Sequence, residues 1–181
     1  GLPAKNIAKW DGTNWSSLGA GVDDEVKALV CDGSNLYAGG VFRNAGGKSA
    51  NYIARWTGSA WVPLGTGFDA RVNSLSMSGG VLYAGGNFTV AGGLYVGHVA
   101  QWNGSSWSVL GKSSDGVNGE VYAISSSGKN VFVGGLFSNY NYVVRWDGSS
   151  WRRLGSGTDN TINAMALQGD YLWVGGAFTQ A

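Results

Sequence analysis

One pattern is repeated four times along this chain, and it limits what the chain can fold into. Each copy has two Trp residues five positions apart, a Gly in the turn between them, and a Leu-Gly pair three residues after the second Trp. The leading Trp residues are Trp10, Trp56, Trp102 and Trp146, at steps of 46, 46 and 44 residues. A fixed period of this kind indicates stacked copies of one supersecondary unit. We predict one domain, residues 1–181, built from repeats 1–45, 46–91, 92–140 and 141–181.

Each repeat has the pattern of four short antiparallel strands. In the first repeat, Ile7–Trp10 and Trp15–Leu18 flank the turn Asp11–Asn14. A short loop containing Asp-Gly is a strong hairpin signal, and here it sets the two Trp residues opposite each other. The runs Val26–Cys31 and Leu36–Gly40 predict the other two strands. We expect the first of these to be buried on both faces, with the Trp hairpin on the outside of the sheet.

Composition favours a sheet-rich fold. Charged residues make up 13% of the chain, whereas Gly occurs 32 times and Trp nine times. Glycine is too frequent for long helices, and no stretch keeps a helical period. We therefore predict an all-β fold, a β-propeller whose four-stranded antiparallel blades repeat around an axis. A net charge of +1 gives no footprint for nucleic acid, and no apolar stretch is long enough for membrane insertion.

The repeats also support a family comparison. A Gly-Gly pair such as Gly39-Gly40 closes the second strand, and a Trp opens the fourth, which resembles kelch-type propeller repeats. The fuller pattern, WDGxxWxxLGxG followed by LYxGGxF, is similar to repeats of bacterial and fungal cell-surface propellers, including the cortical cell-polarity-marker type. The resemblance covers the whole chain and implies a propeller fold outside the cell or at its surface. It does not select an activity, because kelch-like propellers include binding modules, scaffolds and some enzymes.

The phase of the repeats leaves the closure of the ring open. The chain begins with the outer two strands of a unit and finishes with the inner two. In a closed four-bladed ring, Ile7–Leu18 would complete the sheet begun by Ile162–Phe178. Otherwise the free edges would pair with a second copy, giving a homodimer with an eight-bladed ring, or with further repeats of a longer chain.

An aspartate recurs five residues after each Leu of the Leu-Gly pairs, in the loop before the first strand. A ring of carboxylates could bind a cation or act as an acid/base pair, whereas a residue in every repeat usually stabilises its own turn. No calcium-loop motif or His/Cys cluster supports a metal site, so we predict no metal, no cofactor and no catalytic residues. Cys31 is the only cysteine, and we expect it to be buried. The four aspartates are Asp23, Asp69, Asp115 and Asp159.

Variation between repeats is concentrated in the loop after the Gly-Gly strand, which is shorter in the third repeat. Differences on one face of a repeated frame are typical of a binding surface, although drift in loops without a role gives the same pattern. His98 occupies the position of Tyr52 and Tyr142, and we interpret it as a strand residue that substitutes for an aromatic one. Tyr and Arg are frequent in binding hot spots. The candidate contacts are therefore Arg43, Lys48, Tyr95, Tyr140 and Tyr142, with the four aspartates beside them.

These features predict a non-enzymatic interaction or scaffold module, extracellular or displayed on the cell surface, that binds a protein or glycan through the loops on one face. Two alternatives remain at this level. The chain could be a half-propeller whose role is structural self-assembly, or a hydrolase or lyase that uses two of the aspartates.

Overall fold

The computed structural model describes residues 3–33, 35–112 and 114–181. It is built of short β-strands, as the glycine-rich, strand-like pattern predicts. The strands are β1 (Ala8–Trp10), β2 (Trp15–Ser17), β3 (Val26–Asp32), β4 (Asn35–Gly40), β5 (Asn44–Ala45), β6 (Lys48–Ser49), β7 (Ile53–Trp56), β8 (Trp61–Pro63), β9 (Val72–Ser78), β10 (Val81–Gly86), β11 (Val90–Ala91), β12 (Leu94–Tyr95), β13 (Val99–Trp102), β14 (Trp107–Ser108), β15 (Glu120–Ser127), β16 (Asn130–Leu136), β17 (Val143–Trp146), β18 (Trp151–Arg153), β19 (Ile162–Gln168) and β20 (Tyr171–Gly176).

Three antiparallel sheets of four strands form the body of the described chain. Sheet A has the order β3-β4-β7-β8, sheet B has β9-β10-β13-β14, and sheet C has β15-β16-β17-β18. Each sheet therefore follows the order predicted from sequence. The outer hairpins are confirmed as well, because Trp56 lies opposite Trp61 with ring centroids 5.5 Å apart. The second strand is the most buried in sheets A and B. The first strand is not buried on both faces as predicted, because β3 has only half-buried and exposed residues and β9 has buried and half-buried ones.

Neighbouring sheets pack through a glycine on the second strand. A Cβ placed on Gly39 would lie 2.5 Å from Val72 Cγ1 and 3.4 Å from Leu75 Cδ1 on the next sheet. The absence of a side chain therefore allows two apolar side chains of the following sheet to sit directly on the strand. Equivalent contacts join Gly85 to Val121 and Ile124, and Gly134 to Ile162 and Met165.

A tryptophan on the outermost strand also joins each sheet to the preceding unit. Trp61 is 3% exposed, and its indole Nε1 donates a hydrogen bond to the backbone oxygen of Leu18 at 2.8 Å. The paired Trp residues thus pack the interior between units, as expected for buried aromatic rings that carry a polar atom. The same bond recurs from Trp107 to Leu64 at 2.9 Å and from Trp151 to Leu110 at 3.2 Å.

The fourth four-stranded sheet is not completed within the chain. Strands β1 and β2 form one two-stranded sheet, the N-terminal hairpin, and β19 and β20 form another, the C-terminal hairpin. No pairing joins β1 to β20 among the described residues. The four-bladed closure by Ile7–Leu18 on Ile162–Phe178 is therefore not observed, and both hairpins keep a free edge.

Two further features differ from the sequence predictions. The loops after β4 and β10 each contain a small hairpin, β5–β6 and β11–β12, whose strands are only two residues long. Cys31 is exposed rather than buried. Strand β3 belongs to the first complete sheet, and its neighbour Leu29 is also 52% exposed because no sheet of the described chain covers this face.

Candidate functional site

The loops before the first strands and the loops after the second strands meet at one end of the sheets, which we call the loop end. Asp69 links two such loops within one repeat. Its Oδ1 accepts hydrogen bonds from the backbone amides of Thr89 and Val90, both at 2.9 Å, and its Oδ2 accepts one from Thr89 Oγ1 at 2.8 Å. Partial burial would raise the pKa of Asp69, but these hydrogen bonds outweigh it and lower the pKa. The carboxylate therefore fastens one loop to the other.

Asp23 and Asp159 make the same link, whereas Asp115 does not. Asp23 accepts from the amides of Arg43 and Asn44, and Asp159 from the amides of Thr179 and Gln180. In the third repeat the position is occupied by Asn118, whose Oδ1 accepts from the amide of Ser138 at 2.9 Å. The loop after Leu110 is three residues longer, so counting five residues from Leu selects Asp115, whose carboxylate accepts a bond from the adjacent Ser114.

Asp69 and Asp115 both lie five residues after a Leu, but this arrangement predicts that they contribute differently to stability. We expect Asp69→Ala to lower the free energy of unfolding by about 1–2 kcal/mol, because two backbone amides lose their acceptor. Asn118→Ala should have a similar effect. Asp115→Ala should change the free energy of unfolding by less than about 0.5 kcal/mol, because its carboxylate bonds the adjacent Ser114 and joins no second loop of the described chain. Urea denaturation of the three variants tests this, and a loss for Asp115→Ala as large as that for Asp69→Ala would contradict it.

A polar depression lies between the starts of the first strands at the loop end, and we call it the mouth. Its volume is about 660 Å³, and its lining includes Glu25, Lys27, Arg71, Glu120 and Tyr122. Lys27 Nζ lies 3.2 Å from Glu25 Oε1, and Arg71 Nη2 lies 2.6 Å from Glu120 Oε1. Positive and negative groups are therefore paired, so the mouth does not favour a strongly charged ligand.

Glu120 is the more buried acid of the mouth, with a side chain 13% exposed against 60% for Glu25. Its Oε1 accepts hydrogen bonds from Arg71 and, at 2.9 Å, from Asn73 Nδ2, while Tyr122 OH lies 3.4 Å from Oε2. Burial would raise the pKa of Glu120, but the bonds from Asn73 and Arg71 reverse this and lower it. Sequence reasoning missed the mouth, although its signal was visible. The residue directly before the first apolar residue of each first strand changes with each repeat, through Glu25, Arg71, Glu120 and Thr161.

The five predicted loop contacts divide into two groups. Arg43, Lys48 and Tyr95 are exposed at the loop end, with Tyr95 at 59%. Tyr140 and Tyr142 are half-buried. Tyr140 OH donates to the backbone oxygen of Asp115 at 3.3 Å, and its ring lies 5.6 Å from the Arg153 guanidinium carbon. Tyr140 therefore has a packing role. Sequence reasoning also missed Leu94, which is 52% exposed beside Tyr95 on the same small hairpin.

His98 lies immediately before β13, and not within a strand as predicted. Its backbone φ of 70° matches those of Tyr52 at 74° and Tyr142 at 66°, so it does occupy an aromatic position. Its Nδ1 is buried without a hydrogen-bond partner among the described residues. Burial lowers the pKa of His98, although Glu120 and the backbone around Asn87 partly oppose this. A neutral His98 imidazole in the turn before β13 fits a packing role.

The described part of the chain holds no group of three or more His, Cys, Asp or Glu side chains arranged to bind a metal ion. It also contains no helix with the length and apolar character needed to cross a membrane.

Comparison with known proteins supports the fold alone. No protein-family model matches the chain, and no curated protein is significantly similar to it in sequence. The structure is similar to two computationally designed proteins known from crystal structures. Ika8 matches with a TM-score of 0.61 and 15% identity over 84% of this chain and 43% of Ika8. Ika4 matches with a TM-score of 0.63 and 16% identity over 87% of this chain and 88% of Ika4. This chain thus spans less than half of Ika8 and resembles both proteins in its repeated all-β architecture.

Proposed function

We propose that the chain is a non-enzymatic β-propeller scaffold of the kelch-like type that binds a protein or glycan through its loop end, outside the cell or at its surface. The observation that carries this proposal is that some loop-end side chains bond the backbone whereas others are exposed. Three repeated carboxylates are engaged by backbone amides, while Arg43, Lys48 and Tyr95, which lie in the loops that vary between repeats, are exposed. The repeated residues hold the frame and the variable ones remain available for a ligand.

The mouth and the small hairpins suit different parts of such a ligand. The mouth offers paired charges, the phenol of Tyr122 and the amides of Asn73 and Asn163, which suit uncharged polar groups such as sugar hydroxyls or peptide amides. The β11–β12 hairpin offers Leu94 and Tyr95, an apolar and an aromatic side chain of the kind that anchors protein interfaces. The engaged aspartates do not favour the alternative hydrolase or lyase, which would need two free carboxylates.

A glycan array and a surface-protein array, probed with the purified chain, test the proposal. For a protein ligand we expect the double variant Leu94→Ser, Tyr95→Ser to weaken binding at least tenfold. For a glycan we expect Tyr122→Phe to do so, because it removes a hydroxyl from the mouth and leaves the ring. Lys129→Ala is the matched control, since this exposed residue lies in the β15–β16 turn at the opposite end of its sheet. Binding that survives both loop-end changes, or that Lys129→Ala weakens equally, would contradict the proposal.

A further inference from the structure

The two incomplete sheets have complementary edges. The N-terminal hairpin corresponds to the third and fourth strands of the complete sheets, because Trp10 lies opposite Trp15 as Trp56 lies opposite Trp61. The C-terminal hairpin corresponds to the first and second strands and ends in the same Gly-Gly pair. Each hairpin therefore lacks the half of a sheet that the other provides, and both free edges carry unpaired backbone groups.

We propose that the chain binds a second copy of itself head to tail, with β1 of one copy paired to β20 of the other. Sheet A sets the register, because Leu36 lies opposite Trp56 and Gly39 opposite Ile53. The corresponding pairs between copies are Leu172 with Trp10, Trp173 with Lys9, Val174 with Ala8, and Gly175 with Ile7. This pairing completes the fourth four-stranded sheet from two chains.

A packing contact on the sheet face supports the same arrangement. Gly39, Gly85 and Gly134 are each covered by two apolar side chains of the following sheet. Gly175 occupies the equivalent position, but a Cβ placed there would meet no atom within 4 Å. The side chains that would cover it are Val26 and Leu29, the counterparts of Val72 and Leu75. In the head-to-tail pair, sheet A of the second copy follows the shared sheet and brings both residues onto Gly175.

A third contact comes from the tryptophan that joins each unit to the one before it. Trp61 and Trp107 are 3% and 4% exposed and donate to a leucine backbone oxygen, whereas Trp15 is 63% exposed. In the shared sheet, Trp15 Nε1 of one copy would reach the backbone oxygen of Leu154 of the other. Its neighbour Trp10 is 50% exposed, and Trp173 on the facing strand is 62% exposed. Such a concentration of exposed aromatic rings on two free edges is characteristic of an interface.

These three contacts come from independent parts of the repeat, namely an edge register, a face and an indole hydrogen bond. All three require the same relative placement of the copies. The interface is heterologous, so two copies that close on each other form a ring, with both junctions identical. It involves the hairpin edges and not the loop-end side chains, so it can fail or succeed independently of the proposed ligand binding.

Light scattering of the 181-residue chain over a range of concentrations tests the proposal. We expect a species of twice the 18.8 kDa chain mass that dissociates on dilution. Gly175→Val should weaken this association at least tenfold, because its side chain would displace Val26 and Leu29 of the other copy. It should leave the isolated chain folded, since the space around Gly175 is open. Ser105→Val, at an exposed position in the β13–β14 turn of sheet B, is the control and should leave association unchanged. A strict monomer, or an association that Gly175→Val leaves unchanged, overturns the proposal.

Cross-linking of mixed single variants tests the register. In a Cys31→Ser background, one preparation carries Ala8→Cys and the other Val174→Cys. Directly opposed residues of antiparallel strands have Cα atoms within disulfide range, so the mixture should form a mixed disulfide dimer under mild oxidation. In the control mixture, the second preparation carries Gln168→Cys, at the far end of β19, in place of Val174→Cys. This mixture should give little of the mixed disulfide dimer. Equal cross-linking in both mixtures would overturn the register.

Discussion

Trp61→Ala is expected to lower the free energy of unfolding by about 3–5 kcal/mol, the range for removing a buried large aromatic residue. The side chain is 3% exposed, packs against Trp56 and donates to the backbone oxygen of Leu18. The substitution therefore opens a cavity between two units and leaves a carbonyl without its donor. Trp61→Phe keeps most of the ring and loses the hydrogen bond, so its loss should be about 1–3 kcal/mol.

Trp15→Ala is the matched control, because Trp15 has the same position in its repeat and is 63% exposed. In the dissociated chain it should cost about 1 kcal/mol or less, the value of its contact with Trp10. Urea denaturation should be followed at concentrations low enough to keep the chains separate. Equal losses for Trp61→Ala and Trp15→Ala would show that the bond between units does not determine the stability of this position.

Gly67→Ala is expected to lower the free energy of unfolding by about 3 kcal/mol or more. Its φ is +73°, which costs an L-residue about 1–2 kcal/mol. A Cβ here would also lie 2.5 Å from the backbone oxygen of Asn51 and 2.7 Å from that of Ala50. This backbone cannot retreat easily, because the Asn51 oxygen accepts a bond from the amide of Phe68 at 3.0 Å. Crowding of this kind typically adds about 1–3 kcal/mol.

Gly80→Ala separates the two causes. Gly80 has a similar φ of +77°, but a Cβ there would meet no atom within 4 Å. Its loss should therefore be limited to the backbone cost of about 1–2 kcal/mol. Thermal denaturation of both variants gives the difference, which measures how tightly the loop of Gly67 approaches the neighbouring backbone. A difference near zero would mean that the backbone around Asn51 shifts freely.

Much of the fold follows from local patterns in the sequence. The Trp pair with Asp-Gly or its equivalents between them predicts the outer hairpins, and the strand order within a sheet follows from the Gly-Gly strand and its neighbours. These features depend on residues close together in the chain, and sequence patterns report such contacts directly. The small hairpin β11–β12 escaped prediction because two-residue strands such as Val90–Ala91 carry no detectable period.

The features that could not be predicted depend on contacts between distant residues. Cys31 and Leu29 have the sequence context of buried strand residues, but their exposure depends on whether another sheet covers β3. Asp115 was predicted as the third repeated aspartate because it lies five residues after Leu110. This spacing fails because the loop is three residues longer, and the backbone amides of the next loop donate to Asn118 instead. The variation before the first strands was visible in the sequence, but it did not show that these residues share one depression, because the ion pair joins Arg71 to Glu120 across two sheets.

The indole bond of each tryptophan to the unit before it has a consequence for how the protein opens. Every unit is supported only by its immediate neighbours, so stability along the chain behaves as a sum of unit and nearest-neighbour terms. Amide hydrogen exchange in the dissociated chain should then be slowest in sheet B, which has a complete sheet on both sides, and fastest in the two terminal hairpins. Pairing of β1 with β20 of another copy would give the terminal hairpins neighbours on both sides. Their amide exchange would then slow, because opening any one unit would have to break contacts on both of its sides.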